Sequence, residues 1–79
     1  MVINVGYNNF IVTNRILTVV SVSSNSMVRL RQNTEDRGKY INCAQGKKVK
    51  TLIVVDSGHI IGSPLEVDTI NKRLQEQIK

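Results

Sequence analysis

The sequence predicts a small α+β domain with a mostly antiparallel sheet and two helices. Its apolar residues are mainly β-branched, with 11 valines and nine isoleucines against five leucines and one alanine. β-branched side chains pack well on pleated sheets and lose rotamer freedom in helices. Short apolar runs separated by turn residues recur along the chain, whereas helix-end signals flank two stretches only. A chain of 79 residues is long enough for one domain, which we assign to residues 1–79.

The first quarter of the chain predicts three extended segments. Residues 2–5 form a short strand that ends at residues 6–9 (GYNN), because Gly and Asn tolerate the positive φ angles of tight turns. Extension resumes at residues 10–12. Residues 16–22 form the longest early strand, and their apolar side chains nearly fill both faces. We therefore expect this strand to be central in the sheet or buried at an interface.

The middle of the chain predicts one helix and a short strand. Residues 23–26 (SSNS) offer several helix N-caps, and a helix over residues 27–37 would stop at Gly38. Its apolar face is thin, so most of the helix is expected to lie in solvent or to face a polar partner. Residues 40–44 predict a brief strand, and the Gln45-Gly46 pair that follows predicts a turn.

The last third predicts a hairpin followed by a second helix. A basic stretch leads into a strand at residues 52–55, and a turn at 56–58 returns the chain along 59–62. Ser63, Pro64 and Glu66 then form a capping box with proline at the first helical position. The helix predicted from there has an apolar stripe at helical spacing. The stripe consists of Val67, Ile70, Leu74 and Ile78.

Size and composition favour self-association. A chain this short leaves much of its surface wet, so a lone monomer would be marginally stable. One cysteine and one histidine can form neither an internal disulfide nor a zinc cage, which leaves partner subunits as the remedy, and we expect a homo-oligomer with no cofactor. No apolar run approaches the ~18 residues of a membrane span, and the N-terminus lacks a basic signal-peptide start. A cytoplasmic protein without membrane contact fits these features.

Enzymatic chemistry has little support in the residues. Asp56, Ser57 and His59 are the residue types of a hydrolase triad, but within one hairpin turn they would struggle to hydrogen-bond in series. We expect Asp56 and Ser57 to close the turn through side-chain–backbone hydrogen bonds, and Cys43 to be a small buried residue. Gly46-Lys47-Lys48 lacks the flanking residues of a phosphate-binding P-loop. The sequence therefore indicates a protein that is not an enzyme and has no evident small-molecule substrate.

The positive charge is concentrated in one segment. The formal net charge is +5, and residues 37–55 contain five cations and no acid, whereas the rest of the chain is balanced. Such clustering fits nucleic-acid binding or a basic, solvated surface loop. In one extended strand only Lys48 and Lys50 would share a face with each other, whereas a loop could direct Lys47 to the same ligand.

Three arginines are further candidates for phosphate contact. Arg15 interrupts an apolar region, where it either reaches solvent from a sheet end or presents a rigid planar donor to phosphate. Arg29 and Arg31 lie on the thin first helix, and each is either solvated or a possible DNA contact. The charge alone leaves three partners open: duplex DNA, RNA, or an acidic protein surface.

Several stretches together resemble the RemA family of bacterial extracellular-matrix regulatory proteins, in order and over nearly the whole chain. The resemblance implies a DNA-binding transcriptional activator without a helix-turn-helix, active on extracellular-matrix or biofilm genes. It also implies a LytTR-related fold that assembles into a ring with a basic rim for DNA. The matching stretches are Asn14-Arg15-Ile16, Asp36-Arg37-Gly38, residues 44–50 (AQGKKVK) and residues 52–61 (LIVVDSGHII).

The resemblance also implies which residues contact DNA. The family's DNA-binding positions fall on Arg15, Lys47 and Lys48, and Lys50 falls on a further basic position of the same run. This sequence departs from the family pattern because lysine stands after Gly46 where relatives have arginine. Lysine is a point charge without the bidentate fork of arginine, so this departure favours phosphate binding over sequence readout.

Overall fold

The computed structural model describes residues 1–78, and of Ile78 only the backbone. Six strands and two α-helices make up the described chain, which confirms the predicted α+β class with two helices. A single 3-10 turn joins the second and third strands. In chain order the elements are β1 (Val2–Asn4), β2 (Phe10–Val12), the 3-10 turn (Thr13–Arg15), β3 (Ile16–Ser21), α1 (Asn25–Asp36), β4 (Tyr40–Asn42), β5 (Thr51–Val55), β6 (Ile60–Ser63) and α2 (Val67–Ile78).

The strands form two separate sheets. β1 and β2 make an antiparallel hairpin in which Ile3 pairs with Ile11. The other four strands form one sheet in the order β3-β5-β6-β4. Its pairs β3–β5 and β5–β6 are antiparallel, but β4 lies parallel to β6. The sheet is therefore mostly antiparallel, as predicted, with one parallel pair that the sequence did not indicate.

Each face of the four-stranded sheet contributes to its own apolar core. β5 shows the alternation, since Ile53 belongs to one core cluster and Leu52 to the other. The first cluster includes Ile3 of the hairpin and Ile70 of α2, and Met27 of α1 packs against the second cluster. Because layers cover both faces, the central strands are apolar on both sides.

β3 is an edge strand, so the expectation of a central position is wrong. Its only strand neighbour among the described residues is β5. Val19 packs against the first core cluster and Val20 against the second, which explains why both of its faces are apolar. Leu17, however, is 68% exposed. The apolar pattern reflects contacts on both faces of β3, but it could not show which strand lies at the edge of the sheet.

α1 has the ends that its sequence predicts. The Ser24 hydroxyl accepts a hydrogen bond from the Met27 amide at 3.3 Å, as an N-cap does. Gly38 follows the helix with a φ of 70°, the left-handed conformation typical of a residue beyond a helix C-terminus. Thr34 is the one buried residue of this helix. The thin apolar face therefore leaves most of α1 in solvent.

α2 begins at Val67, so the predicted capping box at Ser63 is wrong. Ser63 is the last residue of β6 and is fully buried. Its hydroxyl donates to the Val5 carbonyl at 2.6 Å and accepts from the Leu65 amide at 3.1 Å. A tertiary contact therefore holds the side chain that the local pattern assigned to the cap. In the predicted stripe, Ile70 is buried and Leu74 half-buried, whereas the side chain of Ile78 lies outside the described residues.

Tyr40 packs its ring directly over Gly62 in the neighbouring strand. A Cβ atom at position 62 would collide with the Tyr40 phenol, so only glycine fits opposite this ring. The Tyr40 hydroxyl is buried and has no hydrogen-bond partner among the described residues. Burial also raises the pKa of the Tyr40 phenol above its usual value.

We expect Tyr40→Phe to stabilise the fold by about 1 kcal/mol, because it removes a buried hydroxyl without a partner. The raised pKa means that the folded state favours the neutral phenol, so wild-type stability should fall as the pH rises above about 10. The stability of the phenylalanine variant should fall less than that of the wild type over that pH range. Urea unfolding from pH 7 to 11 measures both effects. If Tyr40→Phe is less stable than the wild type at pH 7, the Tyr40 hydroxyl is not an unpaired group that destabilises the fold.

Candidate nucleic-acid interface

The three clustered lysines lie in a loop between β4 and β5, which we call the lysine loop (residues 47–50). Lys47, Lys48 and Lys50 are all exposed. A tight turn starts the loop, because the Lys47 amide donates to the Ala44 carbonyl at 3.0 Å. The central residues Gln45 and Gly46 have φ angles of 50° and 82°, as in a type I′ turn. The turn predicted at Gln45-Gly46 is confirmed.

The backbone of the lysine loop is fixed to the sheet. The Lys50 amide donates to the Ser63 carbonyl at 2.9 Å, and the Lys50 carbonyl accepts from the Val22 amide at 3.1 Å. Val49 is buried and belongs to the second core cluster. The lysine side chains therefore extend from a backbone that packing and hydrogen bonds hold in place.

The charges of the three lysines differ in their surroundings. The Lys50 ammonium lies 3.2 Å from a Glu66 carboxylate oxygen, so part of its charge is neutralised. Within residues 1–78, Lys47 and Lys48 make no salt bridge. These two lysines can therefore approach an anion without first breaking an ion pair.

A cavity of about 430 Å³ separates the lysine loop from the turn at residues 6–9. The three lysines are cationic residues of its lining. Tyr7 was not predicted as a site residue, but it lines this cavity and is 45% exposed as a whole residue. The sequence showed the turn but could not show that it folds against the lysine loop. The remaining lining residues are Gly6, Pro64 and Leu65.

Arg15 is held by an ion pair at the end of the 3-10 turn. Its Nε atom lies 2.7 Å from both carboxylate oxygens of Asp56, and the Asp56 amide donates to the Arg15 carbonyl at 2.9 Å. The Arg15 side chain is still 58% exposed. Among the described residues, Nε is the one guanidinium nitrogen of Arg15 that donates to Asp56. Its two terminal nitrogens can therefore donate to a phosphate, although Asp56 offsets the charge.

Arg15 and the lysine loop lie at opposite ends of β5. The β3–β5 register pairs Ile16 with Val55 and Ser21 with Thr51. Arg15 thus lies beside the end of β5 at Val55, whereas the lysine loop enters β5 at Thr51. Four residues of extended strand span about 14 Å. Arg15 and the lysine loop therefore do not form one cluster within a single subunit.

The two arginines of α1 differ in how they are engaged. Arg31 donates from Nε to Glu35 at 3.1 Å, one helical turn away, and its guanidinium lies 5.7 Å from the centroid of the Tyr40 ring. Arg31 is therefore engaged in contacts with other residues of its own chain. Arg29 is exposed on the same helix. The structure brings neither arginine into the cavity beside the lysine loop.

The hairpin turn does not assemble a catalytic triad. Ser57 Oγ lies 2.7 Å from His59 Nδ1, but Asp56 is bonded to Arg15, and no hydrogen bond joins Asp56 to His59 in residues 1–78. The expected side-chain–backbone closure is also wrong. Backbone bonds close the turn, from Gly58 N to Val55 O and from Val55 N to His59 O, each at 3.1 Å. Arg15 competes successfully for Asp56 because it offers a charged donor.

Other candidate chemistry is limited in the described chain. Cys43 is buried as predicted, and burial raises the pKa of its thiol, which disfavours the reactive thiolate. Residues 1–78 contain no group of three or more His, Cys, Asp or Glu side chains placed to hold a metal ion. Neither helix, over its described residues, is long and apolar enough to cross a membrane.

Comparison with known proteins identifies the family. The sequence model of the RemA-like family, described as "Extracellular matrix regulatory protein A-like", matches residues 2–74. The chain belongs to the RemA-like family. This result confirms the resemblance seen in the sequence.

Curated relatives are similar to this RemA-like chain over most of its length. A protein of Oleidesulfovibrio alaskensis is 40% identical over 76 residues, which cover 95% of this chain and 90% of the relative. One from Maridesulfovibrio salexigens is 39% identical over 71 residues, covering 90% and 83%. One from Thermodesulfovibrio yellowstonii is 40% identical over 76 residues, covering 96% and 89%. The first two are each named "Putative regulatory protein".

Single substitutions in the Arg15–Asp56 pair should change stability by less than about 1 kcal/mol. Both side chains are substantially exposed, and exposed ion pairs contribute little in water. Urea unfolding of Arg15→Ala and Asp56→Asn measures the effect, with Lys72→Ala on the exposed side of α2 as control. A loss of more than about 2 kcal/mol would show that the pair is structural rather than available for ligand contact.

Proposed function

We propose that this RemA-like protein is a non-enzymatic transcriptional regulator that binds duplex DNA. The observation that carries this proposal is the lysine loop, which presents three exposed lysines from a backbone fixed to the sheet. The whole charge excess of the chain lies in the segment that contains this loop. The family description and the names of the relatives support a regulatory role.

Contact with DNA would be made mainly to the phosphate backbone. Lys47 and Lys48 are free of salt bridges among the described residues, and Lys50 adds a partly neutralised charge. Each phosphate they neutralise releases counterions, so the logarithm of the binding constant falls by ~0.9 per decade of salt per contact. Lysines carry little base information, and specificity would come from DNA bending and from site spacing.

The proposal includes a homo-oligomer, which the family resemblance describes as a ring. In a head-to-tail arrangement, Arg15 of one subunit could lie beside the lysine loop of the next, although they are apart within one chain. β3 has one unpaired edge in the described chain, and large apolar side chains are exposed near it and on the β1–β2 hairpin. The unpaired edge and the exposed apolar side chains support self-association. The exposed side chains are those of Met1, Val2, Phe10, Val12 and Leu17.

An oligomer would turn weak contacts into strong binding. Each subunit adds a formal charge of +5 and another copy of the lysine loop, so every bound subunit holds its neighbours near the same duplex. We further propose that the protein is cytoplasmic and activates extracellular-matrix genes; the family description, which names an extracellular matrix regulatory protein, supports a regulatory role of this kind.

The double variant Lys47→Ala/Lys48→Ala tests the DNA assignment. We expect weaker binding to a labelled duplex and a salt dependence that is shallower by about 1.8, because two phosphate contacts are lost. Fluorescence anisotropy at several salt concentrations measures both quantities.

The matched control is Lys39→Ala/Lys72→Ala, which removes the same charge from exposed positions outside the lysine loop. This control should retain most of the affinity and the wild-type salt slope. Equal losses in both double variants would show that net charge, and not the lysine loop, drives binding. Wild-type binding in the lysine-loop variant would refute the assignment. An unlabelled RNA duplex of equal length that competes better than DNA would identify RNA as the partner.

A further inference from the structure

We propose that the cavity between the lysine loop and the turn at residues 6–9 is a binding site for a mononucleotide. The phosphate would lie against Lys47 and Lys48, and the base would stack on the ring of Tyr7. The cavity holds about 430 Å³, within the range of small-molecule sites in proteins. This site does not depend on whether the protein binds DNA.

The lining of the cavity combines two kinds of residue. Lys47, Lys48 and Lys50 are cationic, whereas Tyr7, Pro64 and Leu65 are aromatic or apolar. An aromatic ring offers a planar, apolar surface on which any base can stack. Lysine ammonium groups bind phosphate as point charges. A ligand that satisfies both kinds of residue carries a planar ring and a phosphate, as a mononucleotide does.

The backbone of Tyr7 is held in a conformation that its residue type disfavours. Tyr7 and Asn8 have φ angles of 51° and 61°. Positive φ is uncommon for residues other than glycine, and it is unfavourable for a bulky side chain such as tyrosine. Strained residues of this kind cluster at ligand sites. Asparagine would suit the backbone at position 7 better than tyrosine, so tyrosine at this position costs stability.

A network of hydrogen bonds supports this strained turn. The Val5 amide donates to the Asn9 carbonyl at 2.8 Å, and the Asn9 amide donates to the Gly6 carbonyl at 3.0 Å. The Asn9 side chain donates to the same Gly6 carbonyl at 2.8 Å, and the Gly6 amide donates to the Asn4 side chain at 2.8 Å. The turn therefore presents the Tyr7 ring from a rigid base.

Residues 63–64 hold the lysine loop and the turn at residues 6–9 at a fixed separation. Ser63 accepts the Lys50 amide on its carbonyl and donates its hydroxyl to the Val5 carbonyl. Gly6 packs so closely on Pro64 that a Cβ atom at position 6 would lie 2.9 Å from the proline ring. The cavity is thus formed before any ligand binds, which lowers the entropic cost of binding.

Calorimetric titration of the full chain at low salt tests the site with three probes: AMP, adenosine and inorganic phosphate. We expect AMP to bind at least tenfold more tightly than either fragment, because only AMP engages both kinds of residue in the cavity. AMP that binds no more tightly than inorganic phosphate would overturn the proposal.

Substitutions at position 7 separate stacking from folding. Tyr7→Asn should weaken AMP binding at least tenfold and leave phosphate binding unchanged, and its thermal midpoint should not fall because asparagine accepts positive φ. Tyr7→Phe keeps a ring and should keep AMP affinity. Phe10→Thr removes another exposed aromatic ring, on β2 and outside the cavity lining, and should leave the AMP affinity of each subunit unchanged even if it weakens self-association. Unchanged AMP affinity in Tyr7→Asn would overturn the proposal.

Substitutions of the charged residues at the cavity should change AMP affinity in both directions. Lys47→Ala/Lys48→Ala should abolish binding of both AMP and phosphate. Glu66→Gln should tighten AMP binding severalfold, because it releases Lys50 from its ion pair. AMP affinity equal to wild type in the double lysine variant would overturn the proposal.

Measuring duplex binding on the same preparations distinguishes failure of the DNA proposal from failure of the mononucleotide proposal. AMP binding without duplex binding refutes the DNA proposal alone. Duplex binding without selective AMP binding refutes the mononucleotide site alone.

Discussion

The hydrogen bond from the buried Ser63 hydroxyl to the Val5 carbonyl connects the parts of this structure that matter for function. It joins the β1–β2 hairpin to the four-stranded sheet at 2.6 Å. The Ser63 carbonyl meanwhile binds the Lys50 amide. Replacing Ser63 with an apolar residue would leave a buried carbonyl short of a partner, which is costly in the interior. One residue thus fixes the hairpin, the lysine loop and the approach to α2.

This constraint explains how so small a domain can present a defined cationic surface. The sheet contributes to an apolar core on each face, and the lysine loop is anchored at one sheet end through Val49. At the other end Arg15 is held by Asp56. The two basic groups lie at different ends of β5, so they do not form one cluster within a subunit. The proposed oligomer would use the exposed apolar residues and the edge of β3 that is unpaired within residues 1–78.

Local signals in the sequence predicted much of the fold, and long-range contacts account for the rest. Ser24 and Gly38 mark the ends of α1, and the turns at residues 6–9 and 44–47 form where Gly and Asn or Gln occur. The predicted start of α2 was wrong because the Ser63 hydroxyl donates a hydrogen bond to the Val5 carbonyl, 58 residues away in the chain. The cluster of lysines was evident from the charge pattern, but that pattern left open whether the lysines lie in a strand or in a loop. The Arg15–Asp56 pair and the position of Tyr7 depend on chain segments that meet only after folding, so no local pattern could reveal them.

The central claim is that the lysine loop acts as a fixed phosphate-binding surface that an oligomer repeats. Size-exclusion chromatography with light scattering, run with and without a duplex of random sequence, tests it most directly. The account predicts a discrete oligomer that forms a larger, salt-sensitive complex with the duplex. A well-folded monomer that leaves the duplex unbound at low salt would contradict both the assembly and the role of the lysine loop.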